Sequence, residues 1–259
     1  MRKILFALFL MAFVSPALVH AASVGGMTTA GQGKVAIGVS EDYVFDKDLK
    51  VKDLKADETE KINIDYMTRT TADISYGILE GLDIYTKLGV ADLKLKGSGT
   101  YVDSGNPGTS TDVTDGKSAF VYGAGVKGVY DIGSGWLVGG DAQYVSHKNK
   151  FKMIQSGYDV GNGNWEDAYT GKMTIQEWQA TLLVGKKIDS FTPYAGVKYS
   201  DMKVNMKIDD SDNKMKAEAK DNVGAIVGLD YAMDKNWKFN VEGRFIDETA
   251  VSGSVVFKF

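Results

Sequence analysis

The chain has 259 residues, including 30 Gly, 13 Tyr, 11 Phe and no Cys, and its formal net charge at pH 7 is -4. This mild acidity argues against nucleic acid as a partner, because proteins that bind nucleic acid usually carry a positive surface. The mean hydropathy of -0.18, combined with many aromatic residues, is compatible with strands whose apolar and polar residues alternate.

The first 21 residues have the layout of a secretory signal peptide. Arg2 and Lys3 form a basic start, an apolar run covers residues 4–14, and Ala21 closes the segment. The apolar run is too short to anchor the chain, and no later segment has the roughly 18 apolar residues that a spanning helix needs. We expect a signal peptide over residues 1–21, a short periplasmic segment over 22–33 and a membrane domain over 34–259.

Ten segments of the remaining chain alternate apolar and polar residues, which predicts β-strands with two different faces. In 237–245, for example, Trp237 and Phe245 lie on the face opposite Glu242 and Arg244. An even number of strands is typical of single-chain bacterial β-barrels. In chain order the segments cover residues 34–45, 62–78, 82–91, 119–132, 136–147, 177–188, 191–200, 222–233, 237–245 and 249–259.

The connections between these segments alternate in length. Tight joints with turn-forming residues occur at 79–81, 133–135, 189–190 and 234–236. Long polar loops are predicted at 46–61, 96–117, 148–171 and 206–221. Short turns in the periplasm and long loops outside are typical of outer-membrane barrels. The join at 247–249 is short although it should lie outside, and we interpret it as a low point of the rim.

Outward aromatic residues occur at both ends of several strands. In 136–144 and 237–245 they are eight residues apart, which corresponds to a rise of about 20 Å for a tilted strand. Such rings are typical of the two membrane interfaces. The periplasmic girdle is predicted to contain Tyr76, Tyr130, Trp136, Tyr231, Trp237 and Phe257. The outer girdle is predicted to contain Tyr66, Tyr144, Trp178, Tyr199 and Phe245.

The sequence therefore predicts an all-β fold, a transmembrane antiparallel up-and-down β-barrel of about ten strands, with eight or twelve as alternatives. A secreted soluble β-sandwich or lipocalin-like barrel is the other interpretation of the alternation. It is less favoured, because the leader, the even strand count, the loop asymmetry, the girdles and the terminal Phe259 would all have to coincide.

Two motifs carry a family resemblance: Pro193-Tyr194-Ala195-Gly196-Val197, which opens a strand, and residues 240–245 followed by the closing Val255-Val256-Phe257-Lys258-Phe259. With them the chain resembles the small outer-membrane barrels grouped as OmpA-like, opacity-type or OmpW-like proteins. The resemblance implies a barrel in the cell outer membrane. It also implies that the barrel-assembly machinery is a transient partner and reads Phe259 as its signal. It implies no shared catalytic motif.

Catalytic and metal-binding patterns are weak. His147 is the only His beyond the predicted leader. It is followed by Lys148 and Asn149, which fits neither the Asp-His pair of barrel proteases nor the His-x-Ser motif of barrel lipases, and a solvated position at the end of a loop is expected. The acidic cluster Asp209, Asp210, Asp212 and Asn213 lacks EF-hand spacing, because Lys214 takes the place of the third oxygen ligand. We expect no catalytic residues, no cofactor and no metal.

The inward-facing charges are the most informative about function. On a lumen of this width they either neutralise each other as a polar plug or line a narrow pore. The candidate lumen residues are Asp65, Arg69, Asp73, Lys87, Lys127, Asp141, Glu177, Lys198, Asp230, Glu242 and Arg244.

The sequence therefore predicts a non-enzymatic, monomeric outer-membrane protein that contacts lipid and lipopolysaccharide. Its expected role is structural or that of a narrow porin-like channel for small solutes. A surface adhesion or ligand-binding module is the alternative, in which the outer loops act. The loop 148–171 supports that alternative because it carries Phe151, Tyr158, Trp165 and Tyr169. A barrel hydrolase is a remote third possibility.

Overall fold

The computed structural model describes residues 25–52, 58–103, 105–161, 163–209 and 214–259. The predicted signal peptide lies outside the described residues, as do residues 210–213 of the acidic cluster. Within the described ranges no helix is long and apolar enough to cross a membrane.

In these ranges, eleven antiparallel strands form one sheet that closes on itself, because β1 pairs with β11. The all-β barrel predicted from the sequence is confirmed. The strands are β1 (Val35–Val51), β2 (Thr59–Leu79), β3 (Leu82–Asp103), β4 (Asn106–Gly133), β5 (Trp136–Asp159), β6 (Gly163–Lys186), β7 (Phe191–Ile208), β8 (Lys214–Ala219), β9 (Val223–Ala232), β10 (Trp237–Phe245) and β11 (Thr249–Lys258).

The two ends of the barrel differ. The turn end carries the short joints after β2, β4, β6 and β9, and the loop end carries the connections after β1, β3, β5 and β7. The prediction of long loops at the loop end was wrong for 96–117 and 148–171, which fold into the paired ends of β3, β4, β5 and β6. The predicted loops 46–61 and 206–221 were too long, because parts of them belong to β1, β2, β7 and β8. The polar Thr, Ser and Gly residues of 96–117 and 148–171 resemble a loop in sequence. Thr is nevertheless a good strand residue, and both faces of a sheet that projects from a barrel can meet water.

The ring narrows from ten strands to eight towards the loop end. Near the turn end β9, β10 and β11 complete the ring, and β11 pairs with β1 through residues 36–46. The hairpin of β10 and β11 is short, so nearer the loop end β8 takes its place and pairs directly with β1 through Leu49, Lys50 and Val51. The predicted ten strands therefore describe the turn-end part, and β8 was missed because six residues give little periodicity.

A bulge in β2 reverses which residues face inward. The register with β3 shifts between Ile64 and Tyr66, so Ile64 is fully buried whereas Ile74 is 47% exposed. An extra residue in one strand moves the residues that follow it to the opposite face. Asp65 lies at this bulge and forms a partly exposed ion pair with Lys96 at 2.7 Å. The structure therefore places Asp65 outside the lumen.

Outward side chains form an apolar belt between two aromatic rings. In the turn-end ring, Trp237 packs 4.9 Å from Phe257, measured between ring centroids. In the loop-end ring, Trp178 lies 5.1 Å from Tyr199 and directly opposite Tyr144 across the β5–β6 pair. The predicted girdle positions all face outward or are partly exposed. They are Tyr66, Tyr76, Tyr130, Trp136, Tyr144, Trp178, Tyr199, Tyr231, Trp237, Phe245 and Phe257.

Candidate functional site

The barrel interior is built of three layers. From the turn end to the loop end these are the N-terminal segment (residues 25–33), a charged layer and an apolar core. Period-two alternation sends one side chain in two to the interior along each strand, so each layer collects residues from many strands. The layers decide whether solutes could pass.

The N-terminal segment fills the lumen at the turn end. The Met27 amide donates to Asp230 Oδ2 at 2.7 Å, and the Ala30 amide donates to Asp83 Oδ2 at 2.7 Å. Lys127 Nζ donates to the Gly25 carbonyl at 2.9 Å, and Lys258 Nζ donates to a carbonyl of the same segment. Two carboxylates and two ammonium groups of the wall therefore bind the backbone of one short segment.

The Met27 side chain anchors this segment. It is 2% exposed and packs among Leu183, Tyr194 and Ile226. Gly139 makes room for it, since a Cβ there would lie 2.9 Å from the Met27 sulfur. A cavity of about 40 Å³ remains between the segment and the charges above it.

The charged layer has its densest cluster beside the β10–β11 turn. Lys198 Nζ lies 2.9 Å from Asp247 and 2.5 Å from Glu248, and Lys47 Nζ lies 3.3 Å and 3.0 Å from the same two carboxylates. Arg244 Nε donates to Glu248 Oε1 at 2.7 Å. Nearly complete burial makes such pairing necessary, because an isolated charge inside the barrel would cost several kcal/mol.

The β10–β11 turn supplies both acids of this cluster. Ile246 has a φ of 86° and is 77% exposed, so the chain reverses there and turns Asp247 and Glu248 into the lumen. Sequence reasoning missed Lys47, Asp247 and Glu248. The sequence signal for these acids was their adjacent position in a turn too short for an outer loop. Whether that turn points into the lumen depends on the backbone conformation of Ile246, which the sequence does not reveal.

The charged layer continues across the barrel. Arg69 Nη2 donates to Glu177 Oε2 at 2.6 Å, and Tyr194 donates to Glu242 Oε2 at 2.9 Å. Lys87 pairs with Asp73 at 3.1 Å. Tyr85 donates to Asp141 Oδ2 at 2.7 Å. Of the candidate lumen residues, the structure brings these charges together: Arg69, Asp73, Lys87, Asp141, Glu177, Lys198, Glu242 and Arg244. Lys127 and Asp230 contact the N-terminal segment instead.

His147 lies inside the barrel, and the expectation of a solvated loop-end position was wrong. It is 1% exposed, and its Nδ1 atom lies 2.6 Å from Asn149 Oδ1. The long polar segment that follows it is paired strand, so the residue is far from any loop. A neighbouring amide cannot serve as the carboxylate of an Asp-His pair.

The apolar core fills the eight-stranded part of the barrel beyond the loop-end aromatic ring. An eight-stranded barrel has an interior that side chains just fill. Its most deeply buried members include Ile64, Met67, Leu93, Leu95, Met173, Ile175 and Met202. Phe151, which sequence analysis placed in a loop, also belongs to it, and Tyr169 packs against its edge. This core lies between the charged layer and the loop end.

Two of the loop aromatics lie on the sheet that projects above the core. Trp165 Nε1 donates to the Tyr101 hydroxyl at 3.0 Å, whereas Tyr158 is 51% exposed on the outer face. Asp209 of the predicted acidic cluster accepts a hydrogen bond from Thr170. No group of three or more His, Cys, Asp or Glu residues in the described ranges is arranged to hold a metal ion.

The closed antiparallel ring, its aromatic rings and its polar lumen have the fold of outer-membrane β-barrels. No known protein family matches the chain, and no curated protein matches it. The structure is similar to the outer membrane protease OmpT from Escherichia coli, with a TM-score of 0.57 and 13% identity over 87% of this chain and 94% of that one.

Two further solved barrels give lower TM-scores. The toluene transporter TbuX from Ralstonia pickettii gives a TM-score of 0.40 and 11% identity over 92% of this chain and 91% of that one. The transport unit of the autotransporter AIDA-I from Escherichia coli gives a TM-score of 0.36 and 14% identity over 98% of this chain and 97% of that one. At such identities a likeness concerns the fold alone, and function must be argued from the residues of this chain.

Proposed function

We propose that this chain is a non-enzymatic outer-membrane protein whose barrel is closed to solutes and which acts through its loop end. In this role the membrane part is a structural anchor, and the projecting part is a ligand-binding module at the cell surface. The observation that carries the proposal is the apolar core, because it separates the charged layer from the loop end.

The membrane position rests on the outer surface. The aromatic rings mark the two interfaces, and the belt between Trp136 and Tyr144 rises about 20 Å for a strand tilted by about 40°. From Tyr144 to the end of β5 another 15 residues extend about 50 Å along the strand. The outer-membrane location, contact with lipopolysaccharide, assembly by the barrel machinery and a monomeric state are parts of this proposal. So is the narrower grouping with OmpA-like or OmpW-like barrels.

A narrow channel is the competing function, and the polar lumen is the feature that favours it. A solute would have to displace the N-terminal segment, cross the charged layer and then pass between Leu93, Met173 and Met202. Opening a path through the apolar core would expose its side chains to water, which costs a free energy of about 25 cal/mol for each Å² of apolar surface. Closure is therefore the state that the packing favours.

A hydrolytic function has little support in the interior. His147 hydrogen-bonds an amide, and its surroundings are the walls of the lumen. The fold likeness to a protease does not supply the missing acid and nucleophile, because a fold hosts many chemistries.

Planar-bilayer recording of the purified full-length protein tests the proposal. We expect no conductance steps, and no swelling of proteoliposomes in small sugars. Regular steps that change in Asp141→Ala would overturn closure and favour the channel. Each variant must show heat-modifiable migration on a gel, so that only folded barrels are compared.

A further inference from the structure

A cavity of about 360 Å³ opens at the loop end, directly above the apolar core. Its lining comes from strands on both sides of the ring. Met153, Tyr169, Met206 and Met215 form an apolar floor, and Glu60 and Asp112 stand in the wall. A concave, mostly apolar site with a few polar groups is the usual form of a small-molecule site.

The floor is continuous across the strands. Met206 of β7 pairs directly with Met215 of β8, and Met153 of β5 pairs with Tyr169 of β6. Met153 and Met206 are buried, whereas Met215 and Tyr169 are partly exposed from above. Flexible thioether side chains adapt to the shape of an apolar ligand, and an aromatic ring offers a face to it.

The two acids come from strands that flank β3. Glu60 pairs with Gly99, and Asp112 pairs with Gly97, on opposite edges of that strand. Gly97 provides the room that the Asp112 carboxylate occupies, since a Cβ there would lie 2.0 Å from Asp112 Oδ1. A side chain at Gly97 would therefore push this carboxylate from its place in the wall.

Neither carboxylate has a cationic partner in the part of the chain that the structure describes, where no ammonium or guanidinium group lies within 4 Å. Burial raises the pKa of the Asp112 carboxyl. Burial, Asp112 and Glu58 together raise the pKa of the Glu60 carboxyl. Two lysines complete the rim, but Lys52 Nζ pairs with Glu218 at 2.8 Å and Lys214 is exposed.

We propose that the mouth cavity binds a small organic amine with an apolar body, its ammonium group between Glu60 and Asp112 and its body on the methionine floor. The proposal rests on the ligand-binding function argued above and names the class of ligand. The volume has room for about a dozen non-hydrogen atoms, at about 30 Å³ for each water-sized group. The aromatic ring of Tyr169 would also attract the cation through a cation–π interaction.

The test uses 2-phenylethylamine as the probe and 2-phenylethanol as its uncharged match. The full-length protein is labelled with ¹³C at the methionine methyl groups and reconstituted in lipid nanodiscs, and its methyl spectrum is assigned by Met→Leu variants. The amine should shift the signals of Met153, Met206 and Met215 in a saturable way. Met27, at the opposite end of the barrel, should not respond.

The charge requirement is tested with the double variant Glu60→Gln/Asp112→Asn, which keeps the shape of the wall. Its affinity for the amine should fall by at least tenfold, because a charge-assisted contact is lost. Glu166→Gln, on an exposed residue outside this cavity, is the matched control and should bind as the parent protein does.

Three results would overturn the proposal: no methyl shift at millimolar amine, equal binding of the alcohol, or unchanged affinity in the double variant. A variant that loses its dispersed methyl spectrum is replaced by the single change Asp112→Asn. Failure here leaves closure of the barrel standing, because bilayer recording reads closure without any ligand. A conducting barrel with an intact amine site would overturn closure alone.

Discussion

The Glu248 carboxylate lies 2.5 Å from the Lys198 ammonium group, although 50 residues separate them in the chain and both side chains are buried. The pair joins the β10–β11 turn to the wall of β7. Lys47 and Arg244 share the same carboxylate, so one acid holds three cations from three strands together.

Glu248→Gln should destabilise the barrel strongly. The amide leaves three buried cations with one anion fewer, and breaking a buried pair costs about 3–5 kcal/mol. Urea unfolding of the protein in lipid vesicles, followed by tryptophan fluorescence, measures the loss. Glu218→Gln is the control, because its partner Lys52 is exposed, and it should leave the unfolding midpoint unchanged. Equal midpoints for both variants would refute the structural role of the cluster.

Leu93→Ala should cost about 2–5 kcal/mol, the usual range for truncating a fully buried Leu. The side chain lies in the apolar core, beyond the aromatic ring at the loop end. Ile154→Ala, on a side chain 42% exposed on the outer face of the projecting sheet, should cost clearly less. The same unfolding experiment compares the two. A small effect of Leu93→Ala would mean that the loop-end barrel is loosely packed.

A cysteine placed at residue 28 should react slowly with maleimide reagents. The chain has no native Cys, so Thr28→Cys provides a single thiol within the docked N-terminal segment. Lys235→Cys, exposed at the turn end, should react fast. Adding Asp230→Asn should speed the reaction at position 28, because it removes the carboxylate that accepts a hydrogen bond from the Met27 amide. Identical rates at both positions would show that the segment is not docked.

Ile246→Gly should stabilise the barrel by about 1 kcal/mol. A branched side chain at a φ of 86° is strained, whereas glycine adopts this conformation freely. The side chain is 77% exposed, so little packing is lost. Ile188→Gly, on an exposed Ile outside the left-handed region, should not stabilise. A lower unfolding midpoint for Ile246→Gly would show that this side chain contributes more than its strain costs.

The stabilising contribution of Glu60 and Asp112 should rise as the pH falls from neutrality towards the ordinary Glu value of 4.5. Because the pKa of Glu60 is raised by burial, Asp112 and Glu58, the folded protein binds this proton more tightly than the unfolded chain does. Asp112 acts in the same direction. Lys52 and Lys214 are the other charged groups at this rim. As the pH falls across this range, the unfolding midpoint of Glu166→Gln should gain on that of Glu60→Gln/Asp112→Asn.

The fold was predictable because period-two alternation can be recognised within a single strand, without knowledge of its neighbours. The same periodicity sends Arg69, Asp141, Glu242 and Arg244 to one side of their strands, where the structure places them inside. Asp65 breaks the pattern, since a single bulge reverses the faces and leaves no mark in composition.

The rest depends on tertiary pairing that local sequence does not encode. The polar residues of 96–117 look like a loop, yet they form strand because neighbours hydrogen-bond to both edges. Lys47 looks like part of a charged loop, and only the acids turned inward at Asp247 and Glu248 make its burial possible. The cavity at the mouth likewise combines β2, β4 and β7, which are distant in sequence.

β1 offers one edge to two successive partners, first to β11 and then, nearer the loop end, to β8. The contact with β8 needs only residues 49–51 and 217–219. A chain in the course of assembly could therefore hold its loop-end ring shut while its last hairpin is still undocked. β10 and β11 would then enter a gap whose two sides, β9 and β1, are already fixed in register, so the final step of folding would be an insertion into a preformed seam.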